Sequence, residues 1–431
     1  MSVEIIKKPE LTNTKHRSQF FAKIPNPASV FPEFEIVPLA RPRTHFDEPP
    51  LAFLMDMDGT TTTTEVLCIH AMEHTIRQAM GENGTGWSGL DPQKDYPNII
   101  GNSTTRHVEY LVKTYGDSFR QKALQDHFLQ AANWTMKHGK DPKRIEETTH
   151  HCRKFGVSFS EEGVDMKLTK PTIQTFNEQV LACIDIYYRR YHEILAAIEN
   201  NDRQFLESIP GIDTGKSLIE PMPGVAVTLA LMKGLPGEEA KKLAEPLIQS
   251  SSFLKPGDNV SITQAGDILS KLANFFAKKP VKVGLVTSSI RYEAKIVLQK
   301  VFQEIQKEVQ SWPLSGSTKK MLLQQFDSFH NYYDAFVTAS DSSEIRLKPH
   351  RDLYSIALQT MGIPPTNFDR VAGFEDSESG TVAIRAAGVG LCTALPFAET
   401  GNHNFDAATV IAQGGLPEVL IHHNLFLSSL I

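Results

Sequence analysis

Long apolar runs are missing from this chain. The longest, Gly224 to Met232, falls well short of the roughly 18 consecutive residues needed to cross a bilayer, so no membrane span is expected. Cysteine is scarce: Cys68, Cys152, Cys183 and Cys392 are the only four in 431 residues. They are too far apart for a Cys-x-x-Cys unit and too few to staple a chain this long, so they read as reduced thiols. A strong charge of one sign is also lacking. Forty-four basic against fifty acidic residues leave a formal −6, which offers a polyanion no general attraction, and nucleic acid is not an expected partner. No apolar segment follows Lys7 and Lys8, so the start does not read as a secretory leader and the expected location is the cytoplasm.

What is present is an ordinary globular composition, 41% hydrophobic and 22% charged, at a length sufficient for two or three domains. Fifteen histidines invite a metal reading, above all the pairs His150–His151 and His422–His423. Adjacent side chains on a helix point to different faces, so exposed polar positions are expected there instead. Residues 1–47 carry Pro25, Pro27, Pro32, Pro38 and Pro42, which interrupt every candidate helix or strand interior and suggest an extended arm.

Leu51 to Met55 is the first core strand, a continuous apolar run of the kind buried on both faces of a parallel sheet. Similar runs recur at 281–286, 335–337, 371–374 and 389–392. Helical spacing follows most of them, as in Leu353, Ile356, Ala357 and Met361, stopped by Gly362. This alternation predicts an α/β fold, a doubly wound parallel sheet whose ligands lie beyond the carboxyl ends of the strands.

The first two strands are separated by roughly 220 residues, far beyond the length of an ordinary loop, so a folded insertion is expected. Thr62-x-x-Glu65 has a capping-box pattern before Val66, Ile69, Met72 and Ile76. Helical periodicity over 106–115, 119–134 and 173–200, with hardly a strand signal, predicts an enlarged all-helical cap over 66–215. The sheet domain is expected to take 48–65 and 216–431, with a helix-like insertion at 234–280.

Chemistry is concentrated at strand ends. Asp56-Met57-Asp58-Gly59 sets two carboxylates at period-two spacing before a turn glycine. Such a pair serves catalysis, a calcium loop or a polar strand exit, and the threonines from Thr60 to Thr64 weaken the calcium reading. Thr287-Ser288-Ser289 ends the second strand and forms either an anion cradle or a helix cap. Lys348 could hold a phosphate, neutralise carboxylates or simply face water. Glu375-Asp376-Ser377 closes a further apolar strand, as N-cap acids or as hard oxygen ligands of the kind that suit Mg²⁺.

Taken in this order, the four strand ends resemble the signature of the haloacid dehalogenase superfamily of Mg²⁺-dependent phosphohydrolases. The resemblance covers residues of about 49–65 and 216–400. It includes Asn98 to Ser103 as the start of a cap helix and Pro221 to Val225 as the cap exit, with a cap of the C1 type. It implies that Asp56 is the nucleophile that becomes an aspartyl-phosphate and that Asp58 is general acid and base. It further implies phosphate contacts from Thr287, Ser288 and Lys348, and Mg²⁺ held by Asp56, Asp58 and Asp376 with Glu375 nearby. The expected activity is hydrolysis of a small phosphorylated metabolite. Asp58 favours phosphate esters over carbon–halogen or carbon–phosphorus cleavage. The β-phosphoglucomutase branch shares these features but carries a cap arginine where this chain has Thr104. A binding or regulatory module that retains the motifs is the alternative of a different class. Lys137, Lys140, Lys143 and Arg144 read as a solvated connection, and Tyr187 and Tyr191 as core. No oligomeric state is implied.

Overall fold

The computed structural model describes residues 3–7, 19–26, 30–100, 103–160, 163–164, 170–209, 212, 215–250, 260–397, 400 and 403–431. Two compact units emerge. One comprises Met1–Thr63, Ile219–Ser289 and Val297–Ile431, and the other Thr64–Leu218 with Ile290–Ile296.

The first unit is built on six parallel strands: β1 Ala52–Asp56, β2 Lys282–Val286, β3 Ala335–Val337, β4 Val371–Glu375, β5 Leu391–Ala394 and β6 Val410–Ile411. Their order is β3-β2-β1-β4-β5-β6. Every residue of β1 and β4 is buried, which is why these strands are apolar on both faces. The helix Val225–Met232 is buried along its whole length, as a helix apolar all round must be. The final strand β6 has only two residues, too few to show a periodicity in the sequence.

The amino-terminal region is not an extended arm. It forms a three-stranded antiparallel sheet of Glu4–Lys7, Phe20–Pro25 and Phe34–Pro38. The prolines bound these strands instead of breaking them: Pro25 and Pro38 are terminal residues. Val3, Ala22, Ile24 and Leu39 pack on Val382 and Ala386 of the helix Glu378–Ala386. The 234–280 segment is helical where described, with Gly237–Leu243, Ala244–Ser250 and Ile262–Lys278; residues 251–259 lie outside the described residues.

The second unit is mainly helical, with α1 Glu65–Met80, α2 Gln121–His138, α3 Pro142–Lys154 and α4 Phe176–Asn200. It is not all-helical, because Phe159–Ser160 and Gly163–Val164 pair as a short antiparallel ladder. The Thr62-x-x-Glu65 capping box does not form: Thr62 is in a two-residue strand paired with Pro221, and Thr64 is the N-cap. Glu65 instead accepts from the Thr64 N–H. Tyr187 and Tyr191 are buried, their rings stacked 5.7 Å apart.

Two polar residues expected at the surface are inside. Asp185, on the inner face of α4, accepts from Arg144 Nη2 at 2.7 Å and Thr148 Oγ1 at 2.7 Å, and His151 Nδ1 lies 2.7 Å from its other oxygen. Arg144 and His151 are both buried, whereas His150 is exposed. Burial pushes the Asp185 carboxyl up, but His151, Arg144 and Thr148 outweigh it and hold it below the ordinary range. The periodicity of α3 is too polar to reveal an inward ionic face, since the partner that makes burial tolerable lies on another helix. Asp185→Ala is expected to destabilise the helical unit by about 3–5 kcal/mol, because it strands a buried guanidinium. Urea unfolding followed by circular dichroism measures this, and an unchanged midpoint would contradict it.

Candidate active site

The site lies at the carboxyl ends of β1, β2 and β4. Register places Asp56 opposite Val286 and Met55 opposite Phe374, so the ends of the three strands are level. Asp56 is the last residue of β1 and is buried. The following turn is closed by Thr61 N and Thr62 N donating to Met57 O at 2.8 and 2.9 Å, and by Thr61 Oγ1 donating to Asp56 O at 2.5 Å. Gly59 stands in this turn at φ +80°, and a Cβ there would meet Asp376 Oδ2 at 2.5 Å. Only glycine satisfies both the backbone and the approach of that carboxylate.

Lys348 joins the pieces. Its ammonium donates to Asp56 Oδ1, to Glu375 Oε1 at 2.6 Å and to Val286 O at 3.4 Å, and it is buried. Glu375 also accepts from Tyr354 Oη at 3.0 Å, from Ser377 N at 3.1 Å and from Ser377 Oγ at 2.9 Å. A Cβ on Gly380 would lie 1.7 Å from Glu375 Oε1, so that helix turn must be glycine to admit the carboxylate.

Asp58 is half-buried, and its Oδ2 accepts from Ser289 Oγ at 3.0 Å and Thr287 Oγ1 at 3.3 Å. Thr287 Oγ1 in turn accepts from Ser289 N at 2.9 Å. Ser288 is half-buried between them. The loop named from the sequence faces Asp58, and the contact comes from Ser289 as well as Thr287. Tyr354 and Ser377, which hold Glu375, escape sequence reasoning, because an apolar-face tyrosine and an N-cap serine carry no distinguishing pattern. Gly101, counted in the cap resemblance, lies outside the described residues.

Burial and the Glu375 carboxylate push Asp56 well above the ordinary carboxylate range, with Lys348 opposing them. Burial pulls Lys348 down, but Asp56 and Glu375 outweigh it and raise it above the usual lysine value. The ammonium is thus in contact with both Asp56 and Glu375. Oxygens of Asp56, Glu375 and Asp376 all lie within 4.8 Å of one another. Such a set of hard oxygen donors fits Mg²⁺. Within it, Glu375 is engaged by four donor contacts on its two oxygens and serves as the counter-ion of Lys348, which makes it the member least suited to a metal.

A cavity opens beside the same turn, lined by Gly59, Thr60, Met222, Phe397, Leu416 and Pro417 among others. Among the described residues, no helix is long and apolar enough to cross a membrane.

No family model matches the chain, and no curated protein matches it in sequence. Among solved structures, it is similar to CbbY from Rhodobacter sphaeroides in complex with phosphate, at 14% identity and TM-score 0.42, over 86% of this chain and 96% of that one. A hydrolase from Pseudomonas syringae matches at 14% identity and TM-score 0.38, over 86% and 96%. A candidate β-phosphoglucomutase from Thermotoga maritima matches at 15% identity and TM-score 0.37, over 88% and 100%.

Gly380→Ala is expected to cost about 1–3 kcal/mol of stability, since the methyl group must displace a fully buried carboxylate. Chemical unfolding of the variant beside the parent checks it, and equal midpoints would show that the Glu375 arrangement is not the one described.

Proposed function

We propose that this protein is a Mg²⁺-dependent phosphatase acting on a small phosphorylated metabolite. One observation carries this reading: a buried lysine bridges Asp56 and Glu375 at adjacent strand ends, with Asp376 alongside and Asp58 held by two hydroxyls.

In this reading Asp56 attacks phosphorus and the ester oxygen leaves, giving an aspartyl-phosphate. Asp58 gives its proton to the leaving oxygen and later takes one from the water that cleaves the acyl phosphate. Ser289 and Thr287 fix the Asp58 carboxylate for both transfers. The 3.3 Å contact of Thr287 is the longer of the two, and it is the one a phosphoryl oxygen would replace. Lys348 lies on Asp56 and offers its charge to the non-bridging oxygens, where negative charge spreads in the transition state. Ser288 would add its backbone N–H to the same oxygens. Asp56, Asp376 and the backbone of Asp58 would hold Mg²⁺, which when bound offsets the repulsion between carboxylate and phosphate. Tyr354 and Ser377 act through Glu375, which keeps Lys348 charged and aimed at Asp56.

Phosphate release from a generic aryl phosphate is the first test. Turnover should require Mg²⁺, stop on chelation, and fall by about 10³-fold or more in Asp56→Asn. Lys348→Met should lose about 10²-fold or more. Absence of turnover with this ester and with a broad panel of phosphorylated metabolites would overturn the assignment and favour a binding module.

A second expectation separates Asp58 from its supports. Ser289→Ala should lower kcat by about 10-fold and leave KM nearly unchanged, since it loosens an acid without removing a substrate contact. Steady-state kinetics would show the split, and an effect confined to KM would place Ser289 on the substrate instead.

A further inference from the structure

The helical unit carries a cluster of cationic and imidazole side chains that the chemistry above leaves unused. His70 and His74 are four residues apart on α1 and share one face. Arg189 and Arg190 come from α4, and His127 comes from α2. All five are half-buried.

Their partners are too few. Among the described residues, Glu193 is the one carboxylate paired with either arginine, 2.9 Å from Arg189 Nε and 3.6 Å from Arg190 Nη1. The remaining contacts are neutral: Arg189 Nη1 donates to Gln130 at 3.4 Å, and Arg190 packs over the Phe205 ring at 5.2 Å. Arg190 Nη2 lies 3.3 Å from His70 Nε2, which requires His70 to be the neutral acceptor. Arg190 Nε is buried with no hydrogen-bond partner, and its side chain is only 13% exposed. Two guanidinium groups that share one carboxylate, one of them mostly desolvated, are costly to hold unless something anionic comes to them.

The histidines report the same surplus. Burial and then the Arg190 charge pull His70 down to about 4. Burial, Arg190, His70, Arg189 and His127 together pull His74 down to about 3. Burial and Arg189 lower His127 as well, with Asp126 and a hydrogen bond to Gln130 opposing them. Near neutral pH His70 and His74 are therefore uncharged, each with one N–H to donate, beside the two arginines.

We infer that Arg189, Arg190, His70, His74 and His127 form a binding site for an oxyanion, the phosphate or carboxylate group of a small molecule. The guanidinium groups supply charge and forked donors, and the imidazoles supply neutral donors that do not repel each other. The site stands within the helical unit and does not rest on the phosphatase reading.

Histidine ring resonances of the full chain, followed by NMR during titration with inorganic phosphate, sodium acetate and sodium chloride at matched ionic strength, test it. Saturable shifts of His70 and His74 with phosphate or acetate, at a Kd on the order of 1 mM or tighter and absent with chloride, are expected. A response to phosphate alone identifies a phosphoryl group, and one to acetate alone a carboxylate. Arg190→Gln should weaken binding by about 10-fold or more. If that variant does not fold, Arg189→Gln serves in its place. Shifts that fail to saturate, or that chloride reproduces, overturn the site. These rings report the helical unit alone, so their silence says nothing about turnover at Asp56, and a failed phosphatase assay leaves this result standing.

Discussion

A single buried ammonium ties the sheet together at its functional end. Lys348 follows β3, yet it reaches the carbonyl of Val286 on β2, the carboxylate of Asp56 on β1 and that of Glu375 on β4. This reach is possible only with the strand order β3-β2-β1-β4 and with the strands ending level. Removing an ammonium from water is expensive, and two carboxylates in hydrogen-bonding contact are what offset it. The constraint runs both ways. Without the lysine, Asp56 and Glu375 would be adjacent buried acids, and one of them would be driven to hold a proton.

Much of this was legible because strand-end chemistry is local in sequence. Asp56, Thr287 and Asp376 stand at the ends of apolar runs, and a parallel sheet necessarily gathers such ends along one edge; Lys348 lies beyond two short helical turns after β3 and reaches that edge from there. Their supports were not legible. Tyr354 matters through one hydrogen bond to a residue elsewhere in the chain, and nothing in its own neighbourhood marks it; Ser289 and Ser377 stand inside the strand-end motifs, but their part as supports of Asp58 and Glu375 is visible only in the contacts. The fold shows the same division. Five of the six core strands could be read from apolar runs, while the two-residue β6 and the proline-bounded amino-terminal sheet depend on partners for their identity.

The helical unit shows why polarity alone misleads. Arg144 and His151 look like solvent-facing residues on a hydrophilic helix, but Asp185 draws both inside. Arg190 differs in its anions: its one paired carboxylate, Glu193, is shared with Arg189, whereas Arg144 has both Glu147 and Asp185, and the Nε of each arginine is without a hydrogen-bond partner. Buried cations of similar sequence appearance thus differ in how much negative charge their own fold gives them.

The Glu375–Asp376 pair shows a comparable division within the site itself. The two neighbouring acids have oxygens within 4.8 Å of each other, but their contacts divide. Glu375 turns toward Lys348, Tyr354 and Ser377 and is satisfied there, in a space that exists because residue 380 has no side chain. Asp376 turns toward the Asp56 turn, where Gly59 makes way for it. Each acid therefore has its own glycine and its own place, the first fixing the lysine and the second lying beside Asp56. Dividing them leaves an oxygen-rich side at Asp56 and Asp376, which is where the proposed reading sets its divalent cation and phosphate.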